Sequence, residues 1–202
     1  MAKNPTINMT YFLSDTHWGE TRITPAFNPF FRPFKSVEEQ NETMVERINE
    51  VVGENDELYH LGDVAYTVEG ISFMDRIKCK NRTLILGNYD VDVPEKMPLL
   101  HAAFNGQVFD SMLRQFEGVL MYLNHYPVNG AKHSADWPHA LSIVGHIHGL
   151  WKVQPNMINV GVDAWHFRPV SFKEILFIKN AIENIYDKNV FPCCDSSIPT
   201  KV

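Results

Sequence analysis

A chain of 202 residues, 45% hydrophobic and 21% charged, is long enough for one domain with a sizeable core and is ordinary for a soluble globular protein. A formal charge of −6 argues against a broad basic surface for stable nucleic-acid binding, though not against nucleic acid as a transient substrate, and three cysteines (Cys79, Cys193, Cys194) support neither a disulfide framework nor a Cys-rich metal site. No apolar stretch is long enough to span a bilayer and no charged-then-apolar segment opens the chain, so a cytoplasmic location without membrane contact is expected.

In chain order, the apolar run Tyr11-Phe12-Leu13 predicts a first strand, and Asp15-Thr16-His17 follows it. Residues 18–35 form an insertion rich in Pro and Phe (Pro25, Phe27, Pro29, Phe30, Phe31, Pro33, Phe34), read as packing or as a pocket wall, with Arg32 a candidate phosphate contact. Ser36 and Glu39 make a capping box for a helix that buries Val37, Met44, Val45, Ile48, Val51 and Val52 and stops at Gly53. A second strand, Leu58 to Leu61, leads to Gly62-Asp63, and a short helix through Phe73, Met74 and Ile77 follows. A third strand, Thr83 to Leu86, ends in Gly87-Asn88-Tyr89-Asp90.

Residues 107–123 read as two or three strands turning near Asp110-Ser111 and Glu117-Gly118, and His125 follows them. Beyond an irregular segment from Val128 to Pro138, strands are expected around Ile143 and Ile158, the first ending in Gly145-His146-Ile147-His148. Ser171 and Glu174 form a second capping box, for a final helix through Ile175, Leu176, Ile178, Ile182 and Ile185. The domain is expected to occupy residues 1–187, and residues 188–202 to be a loosely held tail.

Ligands gather outside the carboxyl ends of strands in open α/β sheets. Asp15, His17, Asp63, Asn88, His125, His146 and His148 stand at such ends. Each alone has a blander reading, such as a helix cap, a turn or a solvated histidine. Together they are enough for two divalent ions about 3.5–4 Å apart that share a carboxylate, hold a bridging hydroxide and clamp a phosphoryl group for in-line attack.

The order D-x-H, G-D, G-N-x-D, H, G-H-x-H resembles the calcineurin-like metallophosphoesterase superfamily, in its small single-domain bacterial and phage form, from Tyr11 to about Ile185. The resemblance implies a four-layer α/β/β/α sandwich with two mixed sheets flanked by helices. It assigns one metal to Asp15, His17, Asp63 and His148, the other to Asp63, Asn88, His125 and His146. Mn²⁺ is the favoured ion, with Fe, Zn²⁺, Ni²⁺ and Mg²⁺ also compatible. The substrate implied is a small phosphate ester or nucleotide.

Where such proteins usually carry His in G-N-H-D, this chain has Tyr89, beside Asp90. A phenol of reference pKa near ~10 is a poorer proton donor than imidazolium, so diesters are expected over monoesters. Asn88, Tyr89, Asp90 and His125 are the catalytic candidates; Arg32, Tyr89, His166 and Arg168 are the substrate candidates. Tyr66, in G-D-x-x-Y, matches the iron-binding tyrosine of purple acid phosphatases, but His17 departs from that pattern and Tyr66 is read as a pocket or packing residue. The alternative is a metal-binding scaffold of the same fold without turnover, as the retromer subunit exemplifies.

Overall fold

The computed structural model describes residues 8–22, 32–130 and 139–184. The Phe/Pro positions 25–31, most of the segment from 128 to 138 and the expected tail lie outside the described residues. Five strands form the first sheet: β1 (Thr10–Leu13), β2 (Glu57–His60), β3 (Asn81–Ile85), β4 (Val108–Phe109) and β10 (Val170–Ser171), in the order β10-β1-β2-β3-β4. The pairs β1–β2, β2–β3 and β3–β4 are parallel and β10 is antiparallel. The second sheet has β5 (Ser111–Phe116), β6 (Val119–Asn124), β7 (Leu141–Val144), β8 (Val153–Gln154) and β9 (Met157–Asn159), in the order β5-β6-β7-β9-β8. Here β6–β7 and β7–β9 are parallel and the edges antiparallel.

The alternation of side chains along the strands assigns them to two cores. Leu13, Leu58 and Leu84 face α1 (Val37–Val51), where they meet Met44, Val45 and Ile48. Phe12, Tyr59 and Ile85 face the second sheet and pack on Met121, Leu123, Leu141, Ile143 and Ile158. Helix α3 (Phe172–Asn184) inserts Phe172 and Ile175 into this second core. The result is an α/β sandwich of two mixed sheets flanked by helices.

Both capping boxes form. The Ser36 hydroxyl accepts from the Glu39 N–H, although Glu39 reaches back to the N–H of Lys35 rather than Ser36. At α3 the box is reciprocal, with Glu174 N–H to Ser171 Oγ and Ser171 N–H to Glu174 Oε2. The β5–β6 hairpin turns through Glu117 and Gly118, both at positive φ, as a two-residue hairpin turn demands.

The short helix expected through Phe73, Met74 and Ile77 is a 3₁₀ helix over Glu69–Arg76, with Ile77 as its C-cap. One feature departs from expectation. Helix α2 (Lys96–Ala103) was not anticipated; Pro98 lies in its first turn, where the missing N–H costs nothing.

The sheets are sewn together at one end. Past β1, Ser14 forms a parallel bridge with Gly161 past β9, through Ser14 N–H to Val160 O and Val162 N–H to Ser14 O. The carboxyl ends of β1, β2, β3, β6 and β7 all open at this end.

Candidate metal centre

Five of the ten non-glycine residues at positive φ among the described residues are candidate ligands: Asp15, His17, Asp63, His146 and His148. Left-handed backbone is costly outside Gly, and its clustering at one point marks a site built against local preference. Each such residue kinks its strand end so that the side chain turns toward the seam between the sheets.

The backbones at this seam are in close contact. A side chain at Gly62 would meet the Gly87 backbone at 2.6 Å, and one at Gly87 would run into Asp63 Oδ1. Only glycine lets the β2 and β3 loops touch.

The structure brings all seven candidates together. Ligand atoms of Asp15, His17 and His148 lie within 4.8 Å of one another, as do those of Asp63, His125 and His146. Asp63 Oδ2 stands 3.5 Å from both His17 Nε2 and His125 Nε2, so one carboxylate faces both groups. Asn88 Oδ1 is 3.2 Å from His125 Nε2 and 3.0 Å from His146 Nδ1.

The donor chemistry fits two divalent cations. Asp15 and Asp63 are buried. Both ring nitrogens of buried His17 lack hydrogen-bond partners. Burial, with the charges of Arg32 and His148, pushes the His17 imidazole well below its ordinary range and keeps it neutral, with a lone pair to give. Burial likewise pushes the Asp63 carboxyl up to about 7, with Asp15 adding to the shift and His125 opposing it. Anionic oxygens and neutral imidazoles held apart from water in this way are what a cation satisfies.

Several groups outside the ligand set hold it in place. His125 Nδ1 donates to Leu61 O at 2.7 Å, which directs Nε2 into the site. His148 Nδ1 bonds Asp163 Oδ2 at 2.9 Å, leaving Nε2 toward Asp15. Asp163 is gripped by Arg32, whose remaining donors reach Thr16 O at 2.9 Å and Asp15 O at 2.5 Å. Burial pushes the Asp163 carboxyl up, but Arg32 and His148 outweigh it and hold the group well below the usual carboxylate range. Asn159 donates to His148 O and Trp151 O, which ties down the loop after β7.

Three roles expected from the sequence change on this geometry, those of Arg32, Asp90 and Arg168. Arg32 is fully buried with its guanidinium spent on Asp163 and backbone oxygens, so it faces no substrate. Asp90 is also buried, and its carboxylate accepts from the N–H groups of Asp63, Val64 and Gly87; it ties the β2 loop to the β3 loop. Arg168 pairs with Glu174 at the start of α3. His166 is exposed in left-handed conformation behind the 3₁₀ turn 162–165, and its carbonyl accepts from Arg47.

Tyr89 does stand at the centre. Its N–H donates to Asp63 Oδ1 at 2.8 Å and its ring meets the His17 ring edge-on, centroids 4.8 Å apart. Tyr66 packs beside it, ring centroids 5.9 Å apart.

Three residues were not anticipated. Lys96, buried under the β3 loop, donates to Ala65 O, Tyr89 O and Asp92. Arg22 lies over the Tyr66 ring at 4.6 Å and donates to the Tyr89 hydroxyl at 3.0 Å. Asp163 completes the set, and its place in the Asn159-Val160-Gly161-Val162-Asp163 run was the only signal for it.

No family model matches the chain. It is 27% identical over 176 residues to the uncharacterized protein MJ1445 of Methanocaldococcus jannaschii, covering 82% of this chain and 88% of that one. The crystal structure of AQ665 from Aquifex aeolicus, a protein of unknown function, shares the fold with a TM-score of 0.66 at 22% identity, over 85% of this chain and 99% of that one. A novel archaeal phosphodiesterase is looser, with a TM-score of 0.46 at 15% identity over 76% and 82% of the two chains. The likeness to AQ665 is one of fold, a sandwich of two mixed sheets flanked by helices.

Proposed function

We propose that the chain is a metal-dependent phosphoesterase, and a single observation carries this reading: Asp63 Oδ2 lies 3.5 Å from a histidine of each ligand group. A carboxylate so placed joins two cation sites into one centre. Asp15, His17, Asp63 and His148 would hold one ion, and Asp63, Asn88, His125 and His146 the other. Two divalent cations held there, Mn²⁺ in the first instance, would supply positive charge for a phosphoryl oxygen and lower the pKa of a bound water.

The chain's own residues do the rest. Asn88 turns Oδ1 toward His125 and His146, which leaves its amide N–H groups to donate to an equatorial phosphoryl oxygen. His125 is orienting and ligating rather than acid or base, because its Nδ1 proton is spent on Leu61 O. Asp90 and Lys96 act on the loops and meet no reacting atom. No side chain in the described centre is an evident proton donor for a poor leaving group, so diesters with acidic leaving groups are the favoured substrates.

The test is an assay of the metal-loaded protein on bis(4-nitrophenyl) phosphate and 4-nitrophenyl phosphate, with the metal content measured. Metal-stimulated turnover, greater on the diester, is expected. Bound metal with no turnover on either ester would leave the scaffold reading, which Tyr89 alone favours.

A further inference from the structure

Gly19, at φ +80°, turns the chain back after His17 so that residues 18–22 run beside residues 64–67. Trp18 bridges Ala65 and the Tyr66 N–H donates to Trp18 O. This register sets Arg22 over Tyr66 and brings it to Tyr89 across 67 residues of sequence. Glu20 receives Arg22 Nε at 3.0 Å and Nη2 at 2.8 Å, and it is buried while Arg22 is not. One edge of the guanidinium is thereby fixed, Nη2 shared between Glu20 and the phenol. Nη1 has no hydrogen bond among the described residues and the side chain is 44% exposed. Glu20 offsets part of the charge, yet it also holds the planar fork in a single orientation, which suits a fixed anion better than a mobile lysine would.

The Tyr89 hydroxyl accepts from Arg22, so its own proton is free to be donated. Its backbone is pinned by the N–H to Asp63 and its ring packs on His17, so the residue that carries this hydroxyl stands beside the metal centre. A donated phenolic hydrogen bond strengthens when the phenol oxygen is itself polarised by a guanidinium.

We propose that Arg22 and Tyr89 form the leaving-group subsite of this centre, an oxyanion clamp for phosphate esters whose alcohol departs as an anion. The inference rests on the phosphoesterase reading above. In the step it serves, the oxygen of water forms a bond to phosphorus and gives up a proton to solvent. The ester P–O bond breaks, and its electron pair stays on the departing oxygen. That oxygen receives the Tyr89 hydrogen bond and the charge of Arg22, leaves as an aryloxide, and takes a proton from solvent afterwards. Nothing in the clamp transfers a proton outright, so the substrates it fits are esters of acidic alcohols such as phenols.

The experiment uses a series of aryl methyl phosphates whose phenols differ in acidity, with wild type, Tyr89→Phe and Arg22→Met, each loaded with Mn²⁺ and checked for metal content and thermal unfolding. Removing one oxyanion donor costs ~10²–10³-fold in a closed site. At this open rim about 10–100-fold in kcat is expected for the least acidic phenol, and much less for the most acidic, so the dependence of rate on phenol acidity steepens in both variants. Calorimetric binding of phenylphosphonate, which cannot be hydrolysed, should weaken about tenfold in Arg22→Met with two metals still bound. Tyr89→Phe keeps the ring and therefore the fold, so its result stands even where Arg22→Met unfolds. An unchanged acidity dependence together with an unchanged phosphonate affinity would overturn the subsite. A wild type that binds metal and phosphonate but turns over nothing would overturn the phosphoesterase reading instead, and the binding arm would still decide for or against Arg22.

Discussion

Arg32 grips Asp163 through two hydrogen bonds of 2.8 and 3.0 Å, and Asp163 in turn holds His148 Nδ1 at 2.9 Å. The pair is buried on both sides. A residue from the insertion after β1 thus sets the orientation of a candidate ligand from the loop after β7. Breaking a buried pair leaves one charge uncompensated, at a cost of about 3–5 kcal/mol. Arg32→Met should lower stability by that order in chemical unfolding. Asp163→Leu should do likewise, and the double variant should cost less than the two together. Asp163→Leu should also weaken binding at the site that contains His148 by about 10–100-fold, measured by metal titration. Simple additivity of the two substitutions would show that the ion pair is not the reason for either loss.

Asp63 connects the two ligand groups, and burial raises its carboxyl to about 7. A cation binds only the ionised form, so binding displaces this proton below pH 7 and displaces none well above it. Apparent metal affinity should therefore rise about tenfold per pH unit up to 7 on account of this group and level off beyond. Calorimetry at pH 6 and pH 8, in buffers of different ionisation enthalpy, measures the proton count directly. Asp63→Asn should abolish that release, reduce metal content below two ions per chain and remove nearly all activity. Two ions retained in Asp63→Asn would contradict the bridging role.

The candidate ligands were legible as a pattern because each stands within a few positions of a strand's end, so residue type and place at the sheet's edge are encoded locally. The second capping box, Ser171 with Glu174, was legible for the same local reason. What failed was every role decided by long-range packing. Arg32 looks like a free cation in a loop, and its burial depends on Asp163, 131 residues away. Asp90 looks like a catalytic partner because it follows Tyr89, yet three backbone N–H groups from two loops consume it. Arg22 carries no periodic signal at all, and only the pairing of residues 18–22 with 64–67 shows where it goes.

His60 is buried, and its place in the sandwich fixes its protonation. The Thr16 hydroxyl donates to Val64 O at 2.7 Å, so it accepts from His60 Nε2 at 2.9 Å, and Nδ1 is left without a partner. Burial, with the nearby His125, pushes this imidazole down to about 3. Between about pH 3 and the ordinary value of 6.5 the unfolded chain binds a proton here that the native chain refuses. Stability from this group is therefore complete above 6.5 and is lost as the pH falls toward 3, with a limiting slope of about 1.4 kcal/mol per pH unit. His60→Gln, which keeps a donor for Thr16, should flatten the acid limb by that one-proton slope in chelator-treated protein. Urea unfolding of both proteins at pH 4, 5 and 6 measures the difference, and parallel curves would rule the histidine out.

The last prediction concerns restoring the G-N-H-D pattern at Tyr89. An imidazolium there could protonate a poor leaving group, worth ~10²–10⁴-fold where general acid catalysis is fully realised. Two neighbours stand against it in this chain. Arg22 Nη2 is 3.0 Å from the phenol oxygen and would repel a cation in its place. Asp90, the nearest carboxylate in sequence to balance the new charge, is buried and bound by backbone N–H groups. Tyr89→His alone should therefore raise the ratio of kcat/KM for 4-nitrophenyl phosphate over bis(4-nitrophenyl) phosphate by less than about tenfold, because an acid without its supporting groups is poorly tuned. Adding Arg22→Met removes the repelling charge, so the double variant should raise that ratio further, although Arg22→Met alone lowers activity. This reversal of sign separates electrostatic antagonism from mere space-filling. If Tyr89 only fills the rim, Tyr89→His leaves the ratio where it was in both backgrounds, and the residue at position 89 has no part in choosing the ester.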